Sequence, residues 1–177
     1  MVGHLREEKN PRMLWRTVRQ IAPDAGILIE HIGNALDATL AHEAEATAAA
    51  CPHYRWLQGR THSDTLRRIQ RAHLLVHTSR SEGGAIVISE ALCSGTPVLA
   101  TRIDGNTGLL GTDYAGLVEP DDADALARQL LQCRASQGDA HGLLARWQQQ
   151  CAACARLFAP EAEQAALQAW LQRLLSG

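Results

Sequence analysis

From Ala72 to Ile103 the chain reads apolar, glycine-rich, helical and apolar again, an order that few folds accommodate. Ala72–His77 and Val98–Ile103 are apolar runs of strand length, and Ala85–Cys93 between them has helical character. Consecutive strands joined through a helix pair in parallel, because a tight hairpin turn has no room for the crossover. Strand-like and helix-like segments alternate along the whole chain. The expected class is therefore α/β, a parallel sheet flanked by helices.

The other elements follow from the same signals. Met1 and Val2 read as the end of a first strand. Asn10 caps a helix that Pro11 opens and that runs to about Ile21, burying Leu14, Val18 and Ile21. Gly26–Ile32 and Tyr54–Leu57 are strands, an alanine-rich helix covers Leu36–Ala50, and another starts at Ser63 and Asp64 and ends near Arg71. Asp104–Thr112 reads as a glycine-rich loop before a small strand, Ala115–Val118. Asp121 or Asp122 then caps a helix to about Cys133. His141–Leu157 reads as one long helix, and a last one covers Glu161–Leu175. Its stripe of Ala165, Leu167, Trp170, Leu171 and Leu174 has the spacing of a packed face.

In sheets of this kind ligands sit beyond the carboxyl ends of the strands, so the loops after Val2, Ile32, Leu57, Val76 and Ile103 should line one crevice. Glu82 falls in such a loop, and Gly83 and Gly84 would let the backbone approach a ligand closely. Ala85 and Ile86 open a helix whose unpaired N–H groups, at the positive end of its dipole, suit a diphosphate. Glu90, a turn further on, can accept bonds from a vicinal diol such as a ribose, and Glu82 from hexose hydroxyls. Two acceptors flanking an anion site fit a sugar nucleotide. After the first strand, Gly3 precedes Lys9 by six positions at a helix start, which puts a cation near the phosphates.

Other function classes lose ground on composition. Net charge is −2 over 177 residues with no basic run, so the electrostatic footprint of a nucleic-acid binder is missing. No apolar stretch approaches a bilayer span, and the expected location is cytoplasmic. The five cysteines read as reduced thiols. Cys151 and Cys154 form a Cys-x-x-Cys within a helix and lack a second pair or a histidine set. His73 and His77 share a strand face without a third ligand, which points to a packing or solvent role. Asp122-Ala123-Asp124 is the one Asp-x-Asp string, and helix capping accounts for it. No metal or other cofactor is expected.

The run Glu82-Gly83-Gly84-Ala85-Ile86-Val87-Ile88-Ser89-Glu90-Ala91, followed by Gly95-Thr96-Pro97-Val98, resembles the Glu-x7-Glu signature of the family 4 (group 1) glycosyltransferases. Gly3-His4-Leu5-Arg6-Glu7-Glu8-Lys9 is similar to that family's Gly-Arg-Leu-x-x-x-Lys, with His4 at the arginine position. Arg55-Trp56-Leu57-Gln58-Gly59-Arg60-Thr61 resembles its nucleobase-facing strand and loop. Asp104-Gly105-Asn106-Thr107-Gly108 stands where the family has Gly-Gly-x-x-Glu, without the glutamate. The resemblance implies a Rossmann-like fold, the second half of a GT-B enzyme, that binds a UDP-sugar through Gly3, His4, Lys9, Gly59, Arg60, Glu82, Gly83, Gly84, Ala85, Ile86 and Glu90. The nucleotide sugar is then a substrate, and transfer to a sugar or lipid hydroxyl is the family's ordinary chemistry.

Four strings are closer to one subfamily. Val2–Lys9, His31–Asp37, Ile69–His77 and Ile103–Asn106 look like the selenosugar synthases of selenoneine biosynthesis, in which histidine is usual at the His4 position. That likeness implies selenophosphate as the attacking group and a 1-seleno sugar as product. The implied organisation is a nucleotide-sugar-binding domain over residues 1–157 and a crossover helix over 158–177, with the N-terminal acceptor domain, and most of the catalytic groups with it, outside the chain. Alone, such a half is expected to bind weakly and turn nothing over. A non-catalytic nucleotide-binding module and half of a sugar-nucleotide epimerase are the other readings.

Overall fold

The computed structural model describes residues 1–175. Five short parallel strands alternate with eight helices: α1 (Pro11–Gln20), β1 (Ile29–Ile32), α2 (Ala38–Ala50), β2 (Tyr54–Gln58), α3 (His62–Arg71), β3 (Leu75–His77), α4 (Ile86–Cys93), β4 (Val98–Thr101), α5 (Asp104–Leu110), β5 (Leu117–Val118), α6 (Ala123–Ala135), α7 (Leu143–Ala155) and α8 (Pro160–Leu175). β1 pairs with β2, and β3 with β4 and β4 with β5, all in parallel. Val2 bridges to Ile32 in the parallel sense, so the first strand stands beside β1 as expected. This is the α/β class that the sequence predicts. The pairing nevertheless forms two sheets, with β1 and β3 each at an edge.

The helices bury one face each. α1 places Met13, Leu14, Trp15, Thr17 and Val18 in the core, and its Thr17 hydroxyl donates to the Ala123 carbonyl of α6 at 3.2 Å. Beneath the site loops runs a buried chain of hydrogen bonds. Trp15 Nε1 donates to the Tyr54 hydroxyl at 2.8 Å, that hydroxyl lies 3.0 Å from His31 Nδ1, and His31 Nε2 lies 3.1 Å from the Gly3 carbonyl oxygen. A carbonyl requires a donor, so Nε2 carries the proton and Tyr54 donates to Nδ1. The core thereby grips the loop after the first strand. Tyr54→Phe leaves both Trp15 N–H and His31 Nδ1 buried without a partner, and chemical denaturation should show a loss of about 2 kcal/mol.

Several boundaries differ from expectation. Asp104–Leu110 is helical and not loop, because Thr107 and Gly111 donate back to Ile103 and Thr107 respectively. Asn10 occupies the N-cap position of α1 in the left-handed region (φ 49°) without capping it. Its side-chain amide donates instead to Asp121 Oδ1 at 2.9 Å. Asp37 caps α2, Thr61 caps α3, and Asp122 caps α6 through Ala125 N at 2.7 Å, as its position suggests. The strands beginning at Gly26 and Ala72 start later, at Ile29 and Leu75. The final helix is the largest correction: Trp170 and Leu174 are 54% and 60% exposed, so its apolar stripe is not core. α8 leans chiefly on the Arg156–Phe158 turn. Among the described residues no helix is long and apolar enough to cross a membrane.

Candidate functional site

The loops after the first strand, β1, β2, β3 and β4 meet at the carboxyl ends of the strands, as the topology requires. Glycine marks the contacts. A Cβ on Gly33 would stand 2.0 Å from the Gly3 carbonyl oxygen, one on Gly59 2.2 Å from Asn34 Oδ1, and one on Gly105 2.1 Å from the Glu82 carbonyl oxygen. At Gly33 and Gly105 the neighbour is main chain, so only a residue without a side chain allows the approach, whereas at Gly59 it is the Asn34 side-chain amide. Gly83 and Gly84 differ: a Cβ at either would meet nothing within 4 Å. No neighbour demands glycine there, and the space above them is open.

Glu82 is the centre of the arrangement. Its side chain is 12% exposed. Oε1 accepts a very short bond from Lys9 Nζ and another from the Ser79 hydroxyl at 2.7 Å, and lies 3.5 Å from His77 Nε2. His77, the cation of Lys9 and the Ser79 hydroxyl hold the carboxyl well below the usual range, to about 2, against the opposing effect of burial. Behind it, buried Asn106 donates its amide to the Thr101 carbonyl at 2.9 Å and stands 3.4 Å from His77 Nδ1. This fixes an acceptor at Nδ1 and turns the Nε2 proton toward Ser79 and Glu82. A small cleft lined by Arg80, Ser81, Glu82, Ile103 and Asp104 opens beside the group.

The other expected residues fall around it. Ala85 is the N-cap of α4 with no side-chain cap, so the first N–H groups of that helix face the diglycine loop without an internal partner. Ile86 is exposed at the same mouth. Glu90 Oε1 lies 2.7 Å from Nε2 of His62, at the start of α3. His4 Nδ1 accepts the Asn34 N–H at 3.0 Å, which leaves its ring proton on Nε2. Arg60 is exposed in the loop that Gly59 opens. Gly3 packs along the Lys9 stem. The structure thus joins Lys9 with Glu82, Gly3 with Lys9, and Gly59 with the Asn34 loop that holds His4. It does not join Glu82 to Glu90, which bind different partners.

The sequence assigned no role to Ser79, Asn106 or His62, and gave His77 a packing or solvent role. His77 was detectable as a polar residue at the end of an apolar strand pointing at the loop of Glu82. Asn106 and His62 depend on α5 and α3 folding over the site, whereas Ser79 stands three positions before Glu82 in the same loop. No group of three or more metal-ligating side chains forms among the described residues. Cys151 and Cys154 face different partners, the Tyr114 hydroxyl at 3.3 Å and the Leu110 carbonyl at 3.4 Å.

Comparison with known proteins bears on the same region. The chain is 31% identical over 124 residues to the D-inositol 3-phosphate glycosyltransferase of Corynebacterium diphtheriae, a match that covers 62% of this chain and 29% of that protein. Its fold is similar to Anabaena Alr3699/HepE, solved with UDP and glucose (TM-score 0.74, 19% identity, 99% of this chain and 47% of that one). It is also similar to the catalytic domain of the cholesterol-α-glucosyltransferase of Helicobacter pylori (TM-score 0.73, 21% identity, 90% and 96%). The chain spans under half the length of the first two. Glycosyl transferases group 1 is the family whose profile matches residues 1–150, the stretch that carries every site residue above, and the chain belongs to that family.

Proposed function

We propose that the chain is the donor-binding half of a glycosyltransferase and holds a UDP-hexose whose sugar is transferred. The observation that carries this reading is Glu82, fixed by Lys9, Ser79 and His77 beside the uncapped start of α4. Departure of UDP develops negative charge on the diphosphate. The α4 N–H groups and the Lys9 ammonium are placed to stabilise it, without a metal in the role. An ammonium has three donors, so Lys9 can keep Glu82 and also bond a phosphate oxygen. With Oε1 occupied, Glu82 Oε2 serves the hexose hydroxyls, and Glu90, steadied by His62, serves the ribose diol.

Titration calorimetry with UDP and UDP-glucose tests these roles. Glu90→Ala should weaken both ligands roughly tenfold, the loss of one hydrogen bond to a charged acceptor. Glu82→Ala should weaken UDP-glucose by a similar factor and leave UDP unchanged or tighter, since Lys9 is released. Equal losses for both ligands in both variants would sink the assignment. For the acceptor, the four strings shared with selenosugar synthases support selenophosphate. Its selenium attacks the anomeric carbon, forming a C–Se bond as the bond to the UDP oxygen breaks; the phosphate is then still on selenium, and attack of water on that phosphorus breaks the Se–P bond and releases the seleno sugar and inorganic phosphate. With the chain joined to an acceptor-binding half, mass spectrometry of a reaction containing UDP-sugar and selenophosphate should reveal the seleno sugar, whereas the chain alone should form none. A product formed only with a sugar or lipid hydroxyl would favour the family's ordinary reaction.

A further inference from the structure

A second carboxylate stands at the cleft beside Glu82. The cleft measures about 320 Å³, the low end of the roughly 300–1,000 Å³ of small-molecule sites, which suits one sugar ring and not a whole nucleotide. Its lining comes from two loops: Arg80, Ser81 and Glu82 follow β3, and Ile103 and Asp104 follow β4. The main chain holds those loops together. Gly105 packs so closely that a Cβ there would meet the Glu82 carbonyl oxygen, and Asn106 anchors the start of α5 to the Thr101 carbonyl at 2.9 Å. Asp104 directly precedes both contacts, so backbone sets where it stands relative to Glu82.

The charges around the cleft are one-sided. Arg80 donates from Nε and Nη2 to Asp121 at 3.2 and 2.7 Å, and its Nη1 lies 3.7 Å from Glu7. Arg102, two positions before Asp104, donates to Glu119 and to the Thr112 carbonyl, each at 3.0 Å. Lys9 is paired with Glu82. Asp104 is exposed, and among the described residues its carboxylate has no hydrogen-bond or ion-pair partner. Glu82 Oε2 has none either, because Lys9, Ser79 and His77 all meet Oε1. Unmatched acceptors therefore enter the cleft from both loops, while every cation beside it is already neutralised.

We propose that Asp104 is a specificity-determining residue of the donor site: it accepts a hydroxyl of the hexose across from Glu82 and excludes donors whose sugar carries a carboxylate. This role rests on the donor-binding function proposed above and narrows the sugar to a neutral hexose. A hydroxyl can donate to either carboxylate, and a hydrogen bond to a charged acceptor is of the stronger kind. A uronic acid instead brings a further negative charge to a cleft whose cations are taken, and like charges at close range oppose binding.

The test is titration calorimetry with UDP, UDP-glucose and UDP-glucuronic acid on the parent chain, Asp104→Ala and Asp104→Asn. Each sugar nucleotide is read relative to UDP in the same variant, so a general loss of fold or of nucleotide affinity cancels. The parent should hold UDP-glucose about thirtyfold more tightly than UDP-glucuronic acid. Asp104→Ala removes the acceptor and should weaken UDP-glucose about tenfold relative to UDP. Asp104→Asn keeps an acceptor oxygen without the charge, so it should weaken UDP-glucose by about threefold at most and narrow its lead over UDP-glucuronic acid about tenfold. Three results would each overturn the role of Asp104 and leave the donor site standing: equal affinity of the parent for the two sugar nucleotides, an unchanged ratio of UDP-glucose to UDP in the alanine variant, or undiminished rejection of UDP-glucuronic acid in the asparagine variant. A parent that binds no UDP would overturn both.

Discussion

Gly105→Ala is expected to lower stability by about 2–3 kcal/mol and to weaken UDP-glucose binding tenfold or more. The new Cβ would stand 2.1 Å from the Glu82 carbonyl oxygen and 2.8 Å from its carbonyl carbon. Both are main-chain atoms, so no rotamer change relieves the overlap. Either α5 or the Glu82 loop must move. α5 is tied by Asn106 to Thr101, and that loop by Ser79 and Lys9 to the Glu82 carboxylate. Displacing Glu82 by even half an ångström alters the distances on which a sugar hydroxyl depends. Gly108→Ala, in the same helix and with nothing within 4 Å of its Cβ, is the control. It should be neutral or slightly stabilising, by up to about 1 kcal/mol, because alanine favours a helix. Thermal unfolding and calorimetry of the two variants separate the steric effect from any general sensitivity of α5. A Gly105→Ala protein that binds UDP-glucose as well as the parent would show that the loop yields without consequence for the site.

Why Gly105 matters is invisible in a local reading, and the reason extends to the rest of the site. Glu82, the diglycine and Glu90 lie within one strand–loop–helix unit, so their relation follows from periodicity and turn chemistry. The partners that give Glu82 its properties do not: Lys9 is 73 positions away, and Asn106 acts on His77 from 29 positions away. Tertiary closure alone brings them in. Asp104–Leu110 reads as a loop because two glycines lower its helix propensity, yet one of those glycines is present for close packing and the helix forms around it. The α8 stripe fails in the opposite way. Periodicity reports which face of a helix is apolar, but not whether anything in the described chain lies against it. Asn10 fails for a third reason, since a side chain with capping chemistry found a stronger partner in Asp121.

Stability should fall in two stages as the pH drops, and the stages identify two parts of the molecule. His31 is buried between Tyr54 and Gly3, and the loss of solvent holds its pKa near 3 against an ordinary 6.5. A histidine depressed on folding stabilises fully above its unfolded value and loses that contribution as the pH falls toward the folded one. By pH 4.5 the loss from this proton alone is on the order of 3 kcal/mol. The Met1 amino group, depressed from 8.0 to about 5, contributes in the same direction at higher pH. Glu82 follows. A carboxylate lowered from 4.5 to about 2 stabilises above 4.5 and loses that contribution below it, so its effect begins where that of His31 is well advanced. His31→Gln keeps an amide that can bond Tyr54 or Gly3 but carries no titrating proton. Its Tm should be lower at pH 7.5, about half as steep as the parent between 6.5 and 5, where the Met1 amine still titrates, shallower than the parent from there to about 3, and parallel to it below. Lys9→Met should do the reverse, leaving the upper stage intact and weakening the lower one, because Glu82 without its cation rises back toward the ordinary range. A parent Tm that stays level from pH 6.5 to 4.5 would mean that His31 is not held neutral by the core, and the link from Trp15 through Tyr54 to the Gly3 loop would have to be abandoned.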